Sequence, residues 1–530
     1  METFRLFIYS LLICSSIVLV VESKNTKVRE ILAKNIGSEK ANQLCDKVEK
    51  LKKLQNDKKL DALKKKGIIL SPNTTTIPGP DESGRKGKNY IHLINKAATE
   101  GECIFKHDIL LTEAQVDQML EALNNITGEQ LVGTGDQLLG TPQGKARGAA
   151  GGRVKRGSSI VSPPNNLKWP VWPGTIPYRF GADIPEAARV KIRAAFNHIW
   201  DRTCLGPTEN PNASGNRILI HTTGTGCNSY VGMIGGEQDI SLDSGCWDVG
   251  TASHELGHAL GMFHEQERWD RDNYITVNWT NTNANGGSYS KETQSSENHY
   301  GQEYDHSSIM HYSQYSDCIN CNLPTAIAKD PWLQRNIGTG NGRFTFRDIK
   351  LINTHYGCSC SQSLNCQHAG YANPAYDCLS CLCPEGFGGT YCDQPEPASD
   401  GDTTCGGVIN VPNTWTNFEL KVGVQNNVVN DDYKTCWWHL KAPAGKYIDI
   451  QVNSIGDNLD RECYWGFVTI KDGYYSWDHS GNRLCMASDY ANGMNYYSTN
   501  YNPVDKTVAV IGVASRYNIF RIKGSFRTFP

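Results

Sequence analysis

Between His254 and Glu265 the chain reads HELGHALGMFHE, gathering three imidazoles and two carboxylates into a single short stretch. On a helix, His254 and His258 lie one turn apart and share a face. Glu255 lies beside that face, where its carboxylate reaches a water on a metal rather than the metal. Gly261 permits positive φ, so the chain can leave the helix there and return His264 as a third ligand. Three nitrogens with one open position make the catalytic rather than the structural zinc arrangement. Such a site activates water for hydrolysis, with Glu255 as general base. Two histidines at this spacing also occur as solvated residues on polar helix faces. The third His after a Gly is what separates the long hydrolytic pattern from that blander case.

Downstream, residues 308–312 read SIMHY. Met310 alone would be core filler, but after the long His pattern it marks a methionine turn beneath the metal. Three details then add to the pattern: Glu265 directly after the third His in HEQERWDRD, Met310-His311-Tyr312, and GCNSYVGMIGGEQDISL at residues 226–242. Together these residues resemble the astacin family of zinc metalloendopeptidases over about residues 157–358. The resemblance implies an α+β, two-lobed domain of the metzincin type, with the active-site helix in the first lobe and the methionine turn in the second. It implies one zinc ion, and Tyr312 as an extra, switchable ligand whose hydroxyl helps hold the oxyanion. It makes residues 226–242 the sheet edge beside the substrate cleft, and it sets Glu265 against the new α-amino group of a processed N-terminus. Bridges Cys204–Cys358 and Cys227–Cys246 are likewise implied. Family members preferring acidic substrates carry Ile-Gly-Gln-Arg in the second lobe; Ile337-Gly338-Thr339-Gly340 departs from it, so that preference is not implied here.

At 530 residues the chain exceeds a single core and must hold several domains. A net charge of −3 gives no field that would select nucleic acid or an anionic membrane. Nineteen cysteines point to an oxidising compartment. Arg5 followed by an apolar run at residues 6–21 reads as a cleaved signal over residues 1–23. With no second long apolar run, the expectation is a secreted, extracellular protein with no membrane contact after signal removal. Asn73, Asn125, Asn212 and Asn278 each begin an Asn-x-Ser/Thr triplet and become candidate glycan sites.

Residues 24–156 read as a prosegment. Val48, Leu51 and Leu54 recur at helical spacing, predicting one or two solvated amphipathic helices. Residues 71–88 and 133–152 are Gly- and Pro- or Thr-rich linkers. Arg153-Val154-Lys155-Arg156 resembles a furin-type site, which names a furin-like protease as processing partner and Gly157 as the mature start. A prosegment silences a zinc enzyme most simply by filling the open metal position, for which Asp108 and Cys103 are candidates. The family resemblance favours Asp108: FKHDI at 105–109 resembles its aspartate switch, with His107 where Gly is usual. Cys103 then pairs with Cys45 or stays free.

Within the catalytic segment a strand is expected at 172–180, a helix at 185–203, a strand at 217–222 and the active-site helix at 250–262. Cys318 and Cys321 form a local CxxC, read as a disulfide ahead of metal or redox use. Six cysteines in 360–392, closing with Cys383 and Cys392 around GFGGTYC, resemble an EGF-like module spanning 359–393, disulfide-rich because it is too small for a core. Cys405, Cys436, Cys463 and Cys485 punctuate alternating strands in 405–529, which resembles an all-β CUB sandwich. The expected activity is therefore hydrolysis of extracellular protein substrates by a zymogen-derived zinc endopeptidase. The rival is an adhesion or matrix protein that works through its EGF-like and CUB modules and for which catalysis is dispensable.

Overall fold

The computed structural model describes residues 32–65 except 35, 105–124 except 107, residue 130, 160–161, and 170–530 except 284–286, 339–341, 376, 457–458, 490–494 and 498–506. The signal, both linkers, Cys103, His107, the basic cluster at 153–156, Gly157, Asn73 and Asn125 lie outside the described residues.

Helix α1 (Ser38–Lys65) carries Leu44, Val48 and Leu51 on one face, and that face is buried rather than solvated. A stripe of this width is satisfied by packing, not by water. Its partners are Val116, Met119 and Leu123 of α2 (Glu113–Asn124) together with Tyr230, Val231 and Phe263. Further along α1, Ala62 and Leu63 join a second cluster with Ile275, Val277, Trp279 and Tyr304. At 28 residues the helix runs about 42 Å, long enough to lie across two lobes. Helix α2 is started by Thr112, whose hydroxyl accepts from Gln115 N while Gln115 Oε1 accepts from Thr112 N. Gln115 Nε2 also donates to Val231 O at 3.1 Å, which ties α2 to the first lobe.

The first lobe is built on a six-stranded sheet. Its strands are β1 (Ile109–Leu110), β3 (Thr175–Phe180), β4 (Gly206–Glu209), β5 (Arg217–His221), β6 (Cys227–Tyr230) and β7 (Glu237–Leu242), in the order β1-β6-β7-β5-β3-β4. A separate β2 (Ile160–Val161) precedes all but β1 in the chain. Strand β3 begins at Thr175 rather than at 172 because Pro173 and Gly174, at φ 101°, still turn. Helix α3 (Glu186–Trp200) and helix α4 (Val249–Ala259) pack on the sheet through Ile192, Phe196, Ile199, Ala252 and Leu256. The edge strand β6 runs antiparallel to β7 and parallel to β1, with Ile109 opposite Ser229 and Leu110 opposite Tyr230. Residues 109–110 therefore cover the β6 side of the sheet.

The second lobe has little regular structure. Strands β8 (Ile275–Val277) and β10 (Ala326–Ala328) pair antiparallel, and β9 (Glu297–Asn298) pairs with β2. Helix α5 (Phe346–His355) is closed by a full capping box between Thr345 and Asp348. Cys227–Cys246 staples the first lobe, Cys204–Cys358 ties that lobe to the residues just after α5, and Cys318–Cys321 closes a local turn in the second lobe. Cys45 is also disulfide-bonded.

Three disulfides, Cys360–Cys378, Cys366–Cys381 and Cys383–Cys392, hold two small hairpins. Two antiparallel-rich sheets follow, of five and four strands, enclosing Ile448, Ile450, Val468, Ile470, Ile511, Phe520 and Ile522. Cys405–Cys436 and Cys463–Cys485 lie in this sandwich. It docks on the second lobe through Arg347–Asp478 at 2.8 Å, Arg335–Asp489 at 2.9 Å and Asn336 Nδ2 donating to Gly481 O at 2.8 Å.

Candidate metal centre

Helix α4 begins at Asp248, whose carboxylate accepts from Thr251 N at 3.0 Å and from its hydroxyl at 2.7 Å. The helix ends at Ala259, earlier than the expected 262, because Gly261 adopts φ 98° and turns the chain. The break brings His264 back toward His254 and His258. One ring nitrogen from each imidazole and one Asp108 oxygen all lie within 4.8 Å of one another, and all four residues are buried. Asp108 Oδ2 is 3.2 Å from His254 Nε2, and Asp108 Oδ1 is 3.5 Å from His258 Nε2 and 3.1 Å from His264 Nε2.

Each imidazole is fixed from behind. His254 Nδ1 donates to Ile309 O at 2.9 Å, His258 Nδ1 to Met262 O at 2.8 Å and His264 Nδ1 to Glu267 Oε2 at 3.2 Å. Placing the proton on Nδ1 leaves Nε2 as the lone-pair donor for a metal. Three nitrogens and a carboxylate oxygen, buried and pre-oriented, suit a tetrahedral divalent cation of the zinc type. Glu255 is fully buried, and neither carboxylate oxygen has a hydrogen-bond partner among the described residues. Burial, reinforced by the charge of Asp108, pushes its carboxyl well above the ordinary range.

Comparison with known proteins agrees with this geometry. Residues 164–357 match the family model of the astacin peptidases. Zinc metalloproteinase nas-31 of Caenorhabditis elegans is 32% identical over 408 residues, covering 75% of this chain and 60% of the relative. Zinc metalloproteinase nas-27 of the same organism is 31% identical over 368 residues, covering 67% of this chain and 84% of the relative. The chain belongs to the astacin family. It spans about three fifths of nas-31 and most of nas-27. Among solved structures, high choriolytic enzyme 1, a hatching enzyme zinc-protease from the medaka Oryzias latipes, is 31% identical over 36% of this chain and 94% of its own, with a TM-score of 0.33.

The other residues singled out by the astacin resemblance fall around the same centre. The Tyr312 hydroxyl donates to Asp108 Oδ2, and burial pushes its pKa well above the ordinary value. Met310 is fully buried under α4, so close that a Cβ on Gly257 would stand 2.5 Å from its sulfur. Glycine at 257 is thus a packing requirement. Glu265 Oε1 accepts from Asp305 N at 2.8 Å and from Arg268 NH1 at 3.1 Å. Its Oε2 has no hydrogen-bond partner among the described residues, and burial pushes the carboxyl up to about 8 against the pull of Arg268. Of the glycan candidates, Asn212 is exposed; Asn278 is half-buried, with Nδ2 donating to Pro324 O at 3.4 Å.

Three contributors have no place in the sequence reading. Asp348 accepts from the Ser308 hydroxyl at 2.6 Å and from Ile309 N at 3.0 Å, and so holds the methionine turn. Its sequence trace is the capping pair Thr345-x-x-Asp348. Lys106 and Glu267 are the others; Lys106 Nζ lies 3.0 Å from Glu267, the carboxylate that orients His264.

Proposed function

We propose that this chain is a zinc metalloendopeptidase, secreted as a latent precursor, that hydrolyses extracellular or matrix proteins. The observation that carries the reading is the convergence of three Nε2 atoms, each imidazole fixed at Nδ1, beside a buried Glu255 that has no hydrogen-bond partner among the described residues. His254, His258 and His264 would hold a zinc ion, which would supply Lewis acidity and lower the pKa of a water toward about 7. Glu255 takes the proton of the attacking water and returns it to the leaving amine. Tyr312, released from Asp108, turns its hydroxyl to the substrate carbonyl oxygen as charge grows there.

Residues 24–156 serve as the prosegment, and Asp108 blocks the position that substrate must use. A furin-like protease cuts after Arg156, and the new α-amino group at Gly157 reaches the open oxygen of Glu265. Residues 359–393 act as an EGF-like module and 405–529 as a CUB domain. What supports those two assignments is the three-disulfide segment and the two-sheet sandwich beyond it. Among the described residues no helix is long and apolar enough to cross a membrane.

The test is hydrolysis of casein or gelatin by the processed chain, with and without a zinc chelator, beside the Glu255→Gln variant. Chelation is expected to abolish turnover, and Glu255→Gln to lower it by at least about 100-fold with fold and metal retained. Full activity in that variant refutes the assignment.

A further inference from the structure

We propose that the pocket filled here by the Lys106 side chain is a substrate subsite for a basic residue, lysine or arginine, with Glu267 and Glu292 as its specificity-determining carboxylates. The inference rests on the endopeptidase reading and adds a substrate class to it.

Lys106 stands two residues before Asp108, so its side chain enters the lobes beside the metal centre. Its ammonium lies 2.6 Å from Glu292 Oε1 and 3.0 Å from Glu267 Oε2, with Ser290 O at 3.4 Å. The side chain is 1% exposed. Both acids belong to the second lobe and not to the segment that carries Lys106. The pocket is also built independently of its occupant. Glu292 N donates to Glu267 O at 2.6 Å, and Glu292 Oε2 accepts from the Ser296 hydroxyl at 2.7 Å. Glu267 is held by the Nδ1 of His264.

Two carboxylates in a site closed to water repel each other, and burying them is costly unless a cation is present. In this structure the N-terminal segment supplies that cation. Once it leaves, an incoming apolar side chain leaves both charges unpaired, and an acidic one adds to the repulsion. Only lysine or arginine restores the pairing, and discrimination of this kind works as much by rejecting the wrong side chain as by attracting the right one. The backbone places the pocket on the substrate path: Asp108 O accepts from Ser229 N of the edge strand β6 at 3.0 Å, and Lys106 O lies 3.5 Å from the Tyr312 hydroxyl. A chain lying along β6 past the metal therefore passes the mouth of the pocket. Glu267 also positions a metal ligand, whereas Glu292 makes no contact with one, which makes Glu292 the discriminating site for mutation.

The full chain, freed of residues before Gly157, is given a complex peptide mixture and its cleavage sites are mapped by mass spectrometry. Lysine and arginine are expected to be enriched at one position close to the scissile bond. In quenched peptides, lysine to alanine at that position is expected to lower kcat/KM about 10- to 100-fold, and Glu292→Gln to shrink that lysine-over-alanine ratio about tenfold. Cleavage without basic enrichment, or an unchanged ratio in Glu292→Gln, overturns the pocket assignment while leaving the endopeptidase reading intact. Absence of all cleavage brings down the endopeptidase reading and the pocket with it. Should Glu292→Gln fail to fold, the unprocessed chain tests the same pocket from the other side. Lys106→Met is expected to raise its basal hydrolysis and Lys106→Arg to leave it latent; equal latency of both with the parent overturns the requirement for a cation.

Discussion

Removing the Asp108 carboxylate is expected to unmask hydrolysis in the uncleaved chain. Asp108 is fully buried, accepts from the Tyr312 hydroxyl, and lies 3.2 Å from His254 Nε2 and 3.1 Å from His264 Nε2. Burial opposes its charge, but His264 and the three imidazole contacts hold the carboxyl well below its usual range, so it sits there ionised. A hydrogen bond to a charged group contributes about 1.5–3 kcal/mol, and taking each of the two imidazole contacts at the same scale gives a gross loss of about 4.5–9 kcal/mol for Asp108→Ala. The other anchors remain: the apolar face of α1, the Gln115 tie, the Lys106 pocket and the β1–β6 pairing. They keep the segment over the cleft, so only a fraction of the gross loss becomes opening. Even a third of the lower figure, about 1.5 kcal/mol, raises the open fraction about tenfold. The assay is quenched-peptide hydrolysis by a chain whose Arg153, Lys155 and Arg156 are alanine, so that processing cannot contribute. Asp108→Asn, which keeps the shape and drops the charge, is expected to rise less. If Asp108→Ala stays as silent as its parent while the processed enzyme cuts the same peptide, latency resides in the helical and strand cover alone and the reasoning fails.

Other perturbations reach different layers of the site. Gly257→Ala puts a Cβ 2.5 Å from Met310 Sδ and 3.4 Å from Phe344, an overpacking expected to destabilise by about 1–3 kcal/mol and to loosen zinc retention on dialysis; an unchanged thermal midpoint would contradict the packing argument. Metal analysis of Glu255→Gln is expected to find the same zinc stoichiometry as the parent, since that carboxylate is not a ligand, and loss of zinc would reassign it. Burial pushes the Glu297 carboxyl up to about 8, from an ordinary 4.5, against the pull of Arg268. The folded chain then keeps a proton that the unfolded chain releases, so this contribution to stability is intact below about pH 4.5 and is lost as pH rises through about 8. Glu297→Gln is expected to flatten the fall of the thermal midpoint over that window, and parallel slopes would exclude Glu297 as its source.

The three imidazoles of the candidate metal centre are legible in the sequence because their geometry is local. Four residues of helix, a glycine at φ 98° and a return three residues later are all written in one stretch. Boundaries are less legible where backbone chemistry interrupts a periodic pattern, as Pro173-Gly174 does before β3 and Gly261 does after α4. Helix α1 shows its apolar stripe in sequence but not what covers it, since periodicity names a face and not a partner; hence a face expected in water is buried. Helix α2 has no counterpart among the expected elements, although Thr112-x-x-Gln115 is a capping box and Val116, Met119 and Leu123 follow at helical spacing. The Lys106 pocket leaves no trace in the sequence. Its partner Glu292 lies 186 residues away, and a lysine within a polar turn carries no local mark of burial.

The charges buried in the second lobe give activation a physical direction. Arg268 is shared between Glu265 at 3.1 Å and Asp270 at 2.9 Å, yet Glu265 Oε2 and Glu297 Oε2 have no hydrogen-bond partner among the described residues. Glu267 and Glu292 are balanced by Lys106, a cation that belongs to the proposed prosegment. Loss of that segment alone would leave the lobe with an excess of buried carboxylates, at several kcal/mol for each unpaired ion. The proposed cleavage after Arg156 would supply a replacement, because it would create an ammonium at Gly157. That residue stands three positions before β2, which already pairs with β9 at Glu297. Three extended residues reach at most about 11 Å, so an N-terminus created at Gly157 would be tethered to the edge where Glu297 lies. The proposed processing would thus remove one cation from the lobe and deliver another beside different acids, leaving only the Lys106 pocket for substrate to neutralise.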